Sequence, residues 1–89
     1  MTRPLKLCLI LLGGIRPAAV VASTKKRMVE ILSESSECGG ATMKWINDYG
    51  SIHEGGKWFD RFAPLGEGMW INRGKEYGEF DITNWERVV

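Results

Sequence analysis

His53 and Glu54 stand beside Gly55-Gly56, with Asp60 and Arg61 a few positions further on. A histidine and a carboxylate in a glycine-rich loop are residue types that can move protons. The other parts of an enzyme are missing from the pattern. The chain holds one histidine, no nucleophile elbow, no phosphate-cradling glycine loop and no Cys/His pair at metal-ligand spacing. We therefore read the group as loop polarity and expect a non-enzymatic protein with no cofactor and no metal. A small enzyme using the His53 loop is kept as a second alternative.

Lys25-Lys26-Arg27 is the next candidate. A helix starting at Ser23 or Thr24 would carry these cations in its first turn, against its own dipole, with Glu30, Glu34 and Glu37 behind them. Free backbone N–H groups at a helix start attract anions, so this turn could meet phosphate or an acidic protein surface. A solvated turn is the plainer reading. A helix–turn–helix over residues 24–49 would read DNA with its second helix, but that helix offers Lys44, Asn47 and Asp48 and no arginine. Its linker also exceeds the usual three or four residues or so. The formal net charge of +1 argues against nucleic-acid binding by bulk electrostatics.

All nine aromatic residues lie after position 44. That is more than one small core needs, so a tryptophan or two is expected at the surface, where Trp and Tyr anchor protein interfaces or stack on bases. The candidate partner-binding set is Lys25, Lys26, Arg27, Lys44, Trp45 and Trp58.

These residues need elements to hold them. Residues 5–12 alternate Leu5, Leu7, Leu9 and Leu11 with a second, mostly apolar face, which predicts a strand covered on both sides. Gly13-Gly14 suits a two-residue hairpin turn into residues 15–22. That register would set Leu9 opposite Ala18, Leu7 opposite Val20 and Leu5 opposite Ala22, leaving small residues on the leucine face for a helix. Pro17 donates no ladder hydrogen bond and predicts an edge strand, or one that starts after it. A loop over residues 13–17 with a different arrangement beyond is the competing reading. An edge at residues 15–22 could pair with a second copy to make a homodimer.

The spacing of Met28, Ile31 and Leu32, flanked by Val29 and Ser35, predicts a helix over residues 24–32 that frays before Gly39-Gly40. A second helix over residues 41–49 would turn Trp45, Ile46 and Tyr49 inward and stop at a left-handed Gly50. Residues 51–57 read as loop. Residues 57–62 read as a helical turn with Trp58, Phe59 and Phe62 on one side, ended by Pro64. Residues 68–72 and 76–82 read as two short strands joined at residues 73–75, and residues 85–89 as a last strand or a tail. The fold class expected is α+β: one domain over residues 1–89, a small, mainly antiparallel sheet with one or two helices on a face. The expected core is Leu7, Leu9, Leu11, Val20, Met28, Ile31, Leu32, Ile46, Trp70 and Phe80.

The chain has 89 residues, 44% hydrophobic and 26% charged, which is ordinary for a globular domain. Cys8, in an apolar strand, and Cys38, in a turn by composition, read as free thiols in a reducing compartment, so the cytoplasm is the expected location. Arg3, Lys6, the apolar run and the small residues up to Ala22 follow the order of a secretory leader, but Gly13-Gly14 and Arg16-Pro17 interrupt it. The apolar run is too short for the roughly 20 residues that span a bilayer, and no membrane association is expected.

LILLGG, RPAAVVASTKKRMVEIL and, later, WINDYGS together resemble small uncharacterised proteins encoded by bacteria, phages and other mobile elements. The resemblance covers about the first half of the chain, and residues 33–40 are longer than the tight turn of the pattern. It implies a bacterial or phage setting and a binding role, with no catalytic residues to carry over. The expected function is a small binding protein acting through a protein partner, such as an inhibitor of a host defence complex of the anti-CRISPR kind. The alternative is a DNA-binding regulator of helix–turn–helix type.

Overall fold

The computed structural model describes residues 4–35, 40–75 and 78–89. Strands β1 (Lys6–Leu12) and β2 (Arg16–Ala22) form an antiparallel hairpin. Gly13 and Gly14 take φ of 61° and 79°, and Ile15 N–H donates to Leu12 C=O at 3.2 Å. Two successive positive φ values are what the tight hairpin turn needs. The register nevertheless differs from the one this turn alone would set. Leu12 pairs with Arg16, so Leu9 meets Ala19 and Leu7 meets Val21. Ile15 is the extra residue. It closes the turn, then stands outside the ladder as a bulge, and every later pair shifts by one.

The sheet order is β3 (Ser51–His53), β1, β2, β4 (Gly68–Asn72), β5 (Trp85–Arg87), with every pairing antiparallel. β2 is therefore interior and not an edge, and it begins before Pro17. Its pairing with β4 (Gly68–Asn72) starts only at Ala18, so the missing N–H of Pro17 falls outside that ladder. An interior β2 has no free edge for a second copy. The sheet ends in two short strands, β3 (Ser51–His53) and β5 (Trp85–Arg87).

Both faces are covered. Cys8, Ile10, Ala18, Val20, Met69 and Ile71 face Met28, Ile31 and Leu32 of α1 (Lys25–Glu34) and Ile46 of α2 (Met43–Tyr49). Leu7, Leu9, Ala19, Val21 and Trp70 face Phe62 of α3 (Lys57–Phe62), flanked by Trp58, Phe59 and Trp85. The small residues of β2 do let helices lie close, but α1 and α2 lie on the Cys8 face, and aromatic side chains cover the leucine face. This is the α+β, mainly antiparallel domain that the patterning predicts, with a third helix on the far side. Covering both faces explains why β1 is apolar from Leu7 to Leu12.

Local chemistry sets the helix ends. Thr24 and Thr42 cap α1 and α2, their hydroxyls accepting from the N–H groups of Arg27 and Trp45 at 3.1 Å. Gly50 follows α2 with φ −84°, so a left-handed stop does not explain it. Space does. A Cβ there would sit 2.6 Å from the Ile46 carbonyl oxygen and 2.8 Å from Cys8 Sγ. Gly50→Ala is expected to destabilise the domain by about 1–3 kcal/mol, as overpacking does. Urea denaturation checks this, and an unchanged midpoint would refute the close-approach explanation.

The second half departs further from expectation. Residues 51–53, expected as loop, are β3. Residues 78–82, expected inside a strand, are not one, and β4 pairs instead with β5. Phe80 is therefore 38% exposed and not core, and Leu11 is half-buried. Tyr49, expected inward, is 71% exposed. Cys38, Glu37, Glu76 and Tyr77 lie outside the described residues. The remaining expected core residues are buried. Among the described residues, no helix is long and apolar enough to cross a membrane.

Candidate functional site: an aromatic strip at the end of the sheet

The expected partner-binding residues divide between separate regions. Lys25 Nζ donates to Asn47 Oδ1 at 2.7 Å, tying α1 to α2. Arg27 Nε reaches Glu67 Oε1 at 2.7 Å, tying α1 to the turn before β4, and Glu67 raises the guanidinium pKa above its ordinary value. Lys44 pairs with Asp48 one turn along α2 at 2.6 Å. Each is a solvent-exposed contact of the kind that contributes little to stability. Lys26 shares a shallow hollow with Lys6, Lys25, Met43 and Glu54. The first turn of α1 thus carries tertiary contacts as well as charge.

Trp45 and Trp58 sit on opposite faces of the sheet, and the structure brings them close to one place. Trp45, Leu11, Tyr49, Gly13 and Gly14 line a hollow of about 340 Å³. A second, also about 340 Å³, is lined by Leu9, Ile10, Leu11, Tyr49, Ser51, Trp58 and Phe80. Leu11 and Tyr49 belong to both, so the hollows form one strip around the end of β1. Ile15, 43% exposed at the hairpin tip, adds to the apolar surface of this end.

Packing behind the strip holds its aromatics. Trp58 stacks on Phe62 with centroids 6.4 Å apart and planes within 5°, and meets Phe80 and Trp85 edge-on. Phe62, fully buried, also touches Trp70 and Trp85 at 5.3 and 5.0 Å. Phe80 is carried by the loop over residues 78–84, which Asn72 anchors. The buried Asn72 amide donates to the carbonyls of Asp81 and Thr83 at 3.1 and 2.9 Å, and its oxygen accepts from Gly74 N–H. Trp85 Nε1 donates to the same Asp81 carbonyl at 2.6 Å.

Asp81 closes the loop on itself. Its Oδ1 accepts from the Thr83 hydroxyl at 2.7 Å and the Thr83 N–H at 2.9 Å, with Lys75 Nζ at 3.5 Å from Oδ2. These hydrogen bonds, and then Lys75, lower the carboxyl pKa below its ordinary value. A depressed folded pKa contributes stability above the unfolded value that is lost as pH falls through the folded one. The loop is therefore expected to loosen only below about pH 4. A pH titration of the Thr83 amide by NMR checks this. A transition above that range, or one that survives Asp81→Asn, would contradict it.

The remaining candidates are placed as follows. His53 lies on β3 opposite Leu7, and its Nε2 is 3.1 Å from Ser51 Oγ. Glu54 is directed to Lys6 at 3.6 Å. Among the described residues, no three His, Cys, Asp or Glu side chains form a group able to hold a metal ion. Cys8 is buried beneath α2, and burial pushes its thiol up to about 11, so it stays protonated at neutral pH and packs as a small apolar side chain. The two helices of the proposed DNA-reading unit pack side by side on the sheet, and on α2 the outward Asn47 and Asp48 accept hydrogen bonds from Lys25 and Lys44.

Sequence reasoning missed Leu11, Tyr49 and Phe80 as members of the strip. The signal available was the aromatic excess, but it pointed to tryptophan: Trp70 is buried and Trp45, Trp58 and Trp85 are half-buried, and among the described residues the exposed aromatics are Tyr49 and Phe80. No family model matches the chain, and no curated protein and no solved structure matches it either.

Proposed function

We propose that this protein is a non-enzymatic binding module that docks a protein partner on the strip around Tyr49. Tyr49 is the observation that carries this reading: it is largely exposed and belongs to two apolar hollows at once. Exposed aromatics set beside hollows are typical interface anchors, and contiguous apolar surface on a small domain usually marks an interaction site. Trp45 and Trp58 keep the role expected of them, at the walls of the strip. Lys25 and Lys26 then act through approach and orientation more than through contact energy. The resemblance to mobile-element proteins supports a bacterial or phage setting, with a host defence complex as the class of partner.

The test is quantitative capture from a bacterial host, with the recovered partner titrated against variants. Tyr49→Ser is expected to weaken binding about 30-fold, the scale of an interface anchor. Folding stability should change by no more than about 0.5 kcal/mol, because Tyr49 is exposed. Lys26→Ala should lower affinity only a few-fold or so, in a salt-dependent way. If Tyr49→Ser binds like the parent, while salt-sensitive DNA binding is lost in a Lys25→Ala, Lys26→Ala double variant, the DNA-binding reading replaces this one.

A further inference from the structure

β1 runs to Leu12, but β3 pairs only with Leu7, Cys8 and Leu9. Beyond Ser51, residues 10–12 of β1 have a strand on the β2 side and, among the described residues, none on the other. The hollow lined by Tyr49, Trp58 and Phe80 lies at this place, and its lining shows how it is oriented. Leu9, Ile10 and Leu11 are consecutive and point alternately to opposite faces of the sheet, yet all three line it. Consecutive strand residues share one hollow only along the strand's edge. The walls agree. Tyr49 comes from the α2 side of the sheet, and Trp58 from the α3 side. The hollow is a gap in the line of β3, roofed by an aromatic residue on each face.

We propose that this gap receives an extended peptide segment of the partner, which adds to the sheet beside residues 10–12 and continues the line of β3. This rests on the docking reading above and names its mode. A strand edge is satisfied by a backbone of matching repeat, and alternate side chains of an added strand enter pockets on the two faces. One such side chain would lie against Trp58 and Phe80, and the next toward Trp45 and Tyr49, where the neighbouring hollow continues past Gly13 and Gly14. The occupant is thus a short extended segment with apolar residues at alternate positions. A second copy of this chain fits poorly, because its own β1 edge is recessed between the same aromatic walls and two recessed edges do not meet.

The probe is a set of short linear peptides selected for binding to the intact protein from a random display library. Each is resynthesised with a single backbone N-methyl group at successive positions. Selected peptides are expected to have alternating apolar residues and to slow hydrogen exchange of an amide within residues 10–12 about tenfold or more. N-methylation should weaken binding about tenfold or more at every second position and little between, because only alternate N–H groups face β1. Peptides that shift the Trp45, Tyr49 and Trp58 signals, but tolerate N-methylation everywhere, would overturn strand addition and leave the docking surface in place. Concentration-dependent protection of residues 10–12 without peptide would overturn it in favour of self-pairing. If selected peptides bind elsewhere, strand addition at this edge is wrong; whether the docking reading also falls is read separately from the response of the captured partner to Tyr49→Ser.

Discussion

Phe62→Ala is expected to lower the unfolding free energy by about 3–5 kcal/mol, the usual cost of removing a buried phenylalanine. An 89-residue domain has only about 4–13 kcal/mol to lose, at 0.05–0.15 kcal/mol per residue. The figure belongs to this residue because Phe62 is fully buried at the centre of the second core layer, in contact with Trp58, Trp70 and Trp85. A cavity there removes the support behind Trp58, so partner binding should weaken as well. Chemical denaturation monitored by tryptophan fluorescence gives the stability. Phe62→Leu is the informative companion: it fills most of the volume and should recover much of the loss. If the alanine variant loses less than about 1 kcal/mol, α3 does not close the core as described.

Asn72→Ala has the second-largest expected effect, a loss of about 2–4 kcal/mol. The substitution deprives the carbonyls of Asp81 and Thr83 and the N–H of Gly74 of the same partner. Asn72→Asp should be at least as damaging, because a buried carboxylate would face two carbonyl oxygens where the amide now donates. The damage should be local as well as global. Without this anchor, residues 78–84 should exchange their amide hydrogens faster than β1 and β2 do, and Phe80 should no longer wall the strip. Hydrogen exchange resolved by residue separates the two outcomes. Uniform acceleration across the whole chain would mean that Asn72 supports the fold but does not position the loop.

The helices and the first hairpin were legible because their signals are local. Thr24 caps the next turn with its own hydroxyl, and Met28, Ile31 and Leu32 lie on one helical face whatever packs there. The hairpin register was not legible, since a bulge at Ile15 costs little locally and is decided by the partners of β2. The same limit hid β3. Ser51, Ile52 and His53 have no strong strand pattern, and they become a strand because α2 delivers them beside β1.

Exposure was the least legible property. Trp45, Ile46 and Tyr49 all read as inward from their spacing, yet Ile46 alone is fully buried and Tyr49 stands in solvent. A helix of seven residues buries only part of that face: Ile46 sits over the sheet, and Tyr49, its last residue, stands beside the end of β1 with most of its surface in solvent. Phe80 failed for the opposite reason. Its alternation with Ile82 predicts a strand, but Asn72 and Asp81 bind the chain into a loop, and Trp85 takes the place beside β4.

The sequence by itself determined an α+β domain with an aliphatic hairpin, two short helices and an aromatic second half. These follow from hydrogen bonds and apolar spacing within a few residues of one another. Only the tertiary structure decided which aromatics face solvent, that Lys25 and Arg27 tie α1 to its neighbours, and that Trp45, Tyr49, Trp58 and Phe80 meet at the unpaired end of β1. Those facts depend on contacts between segments distant in the chain, and periodicity carries no record of them.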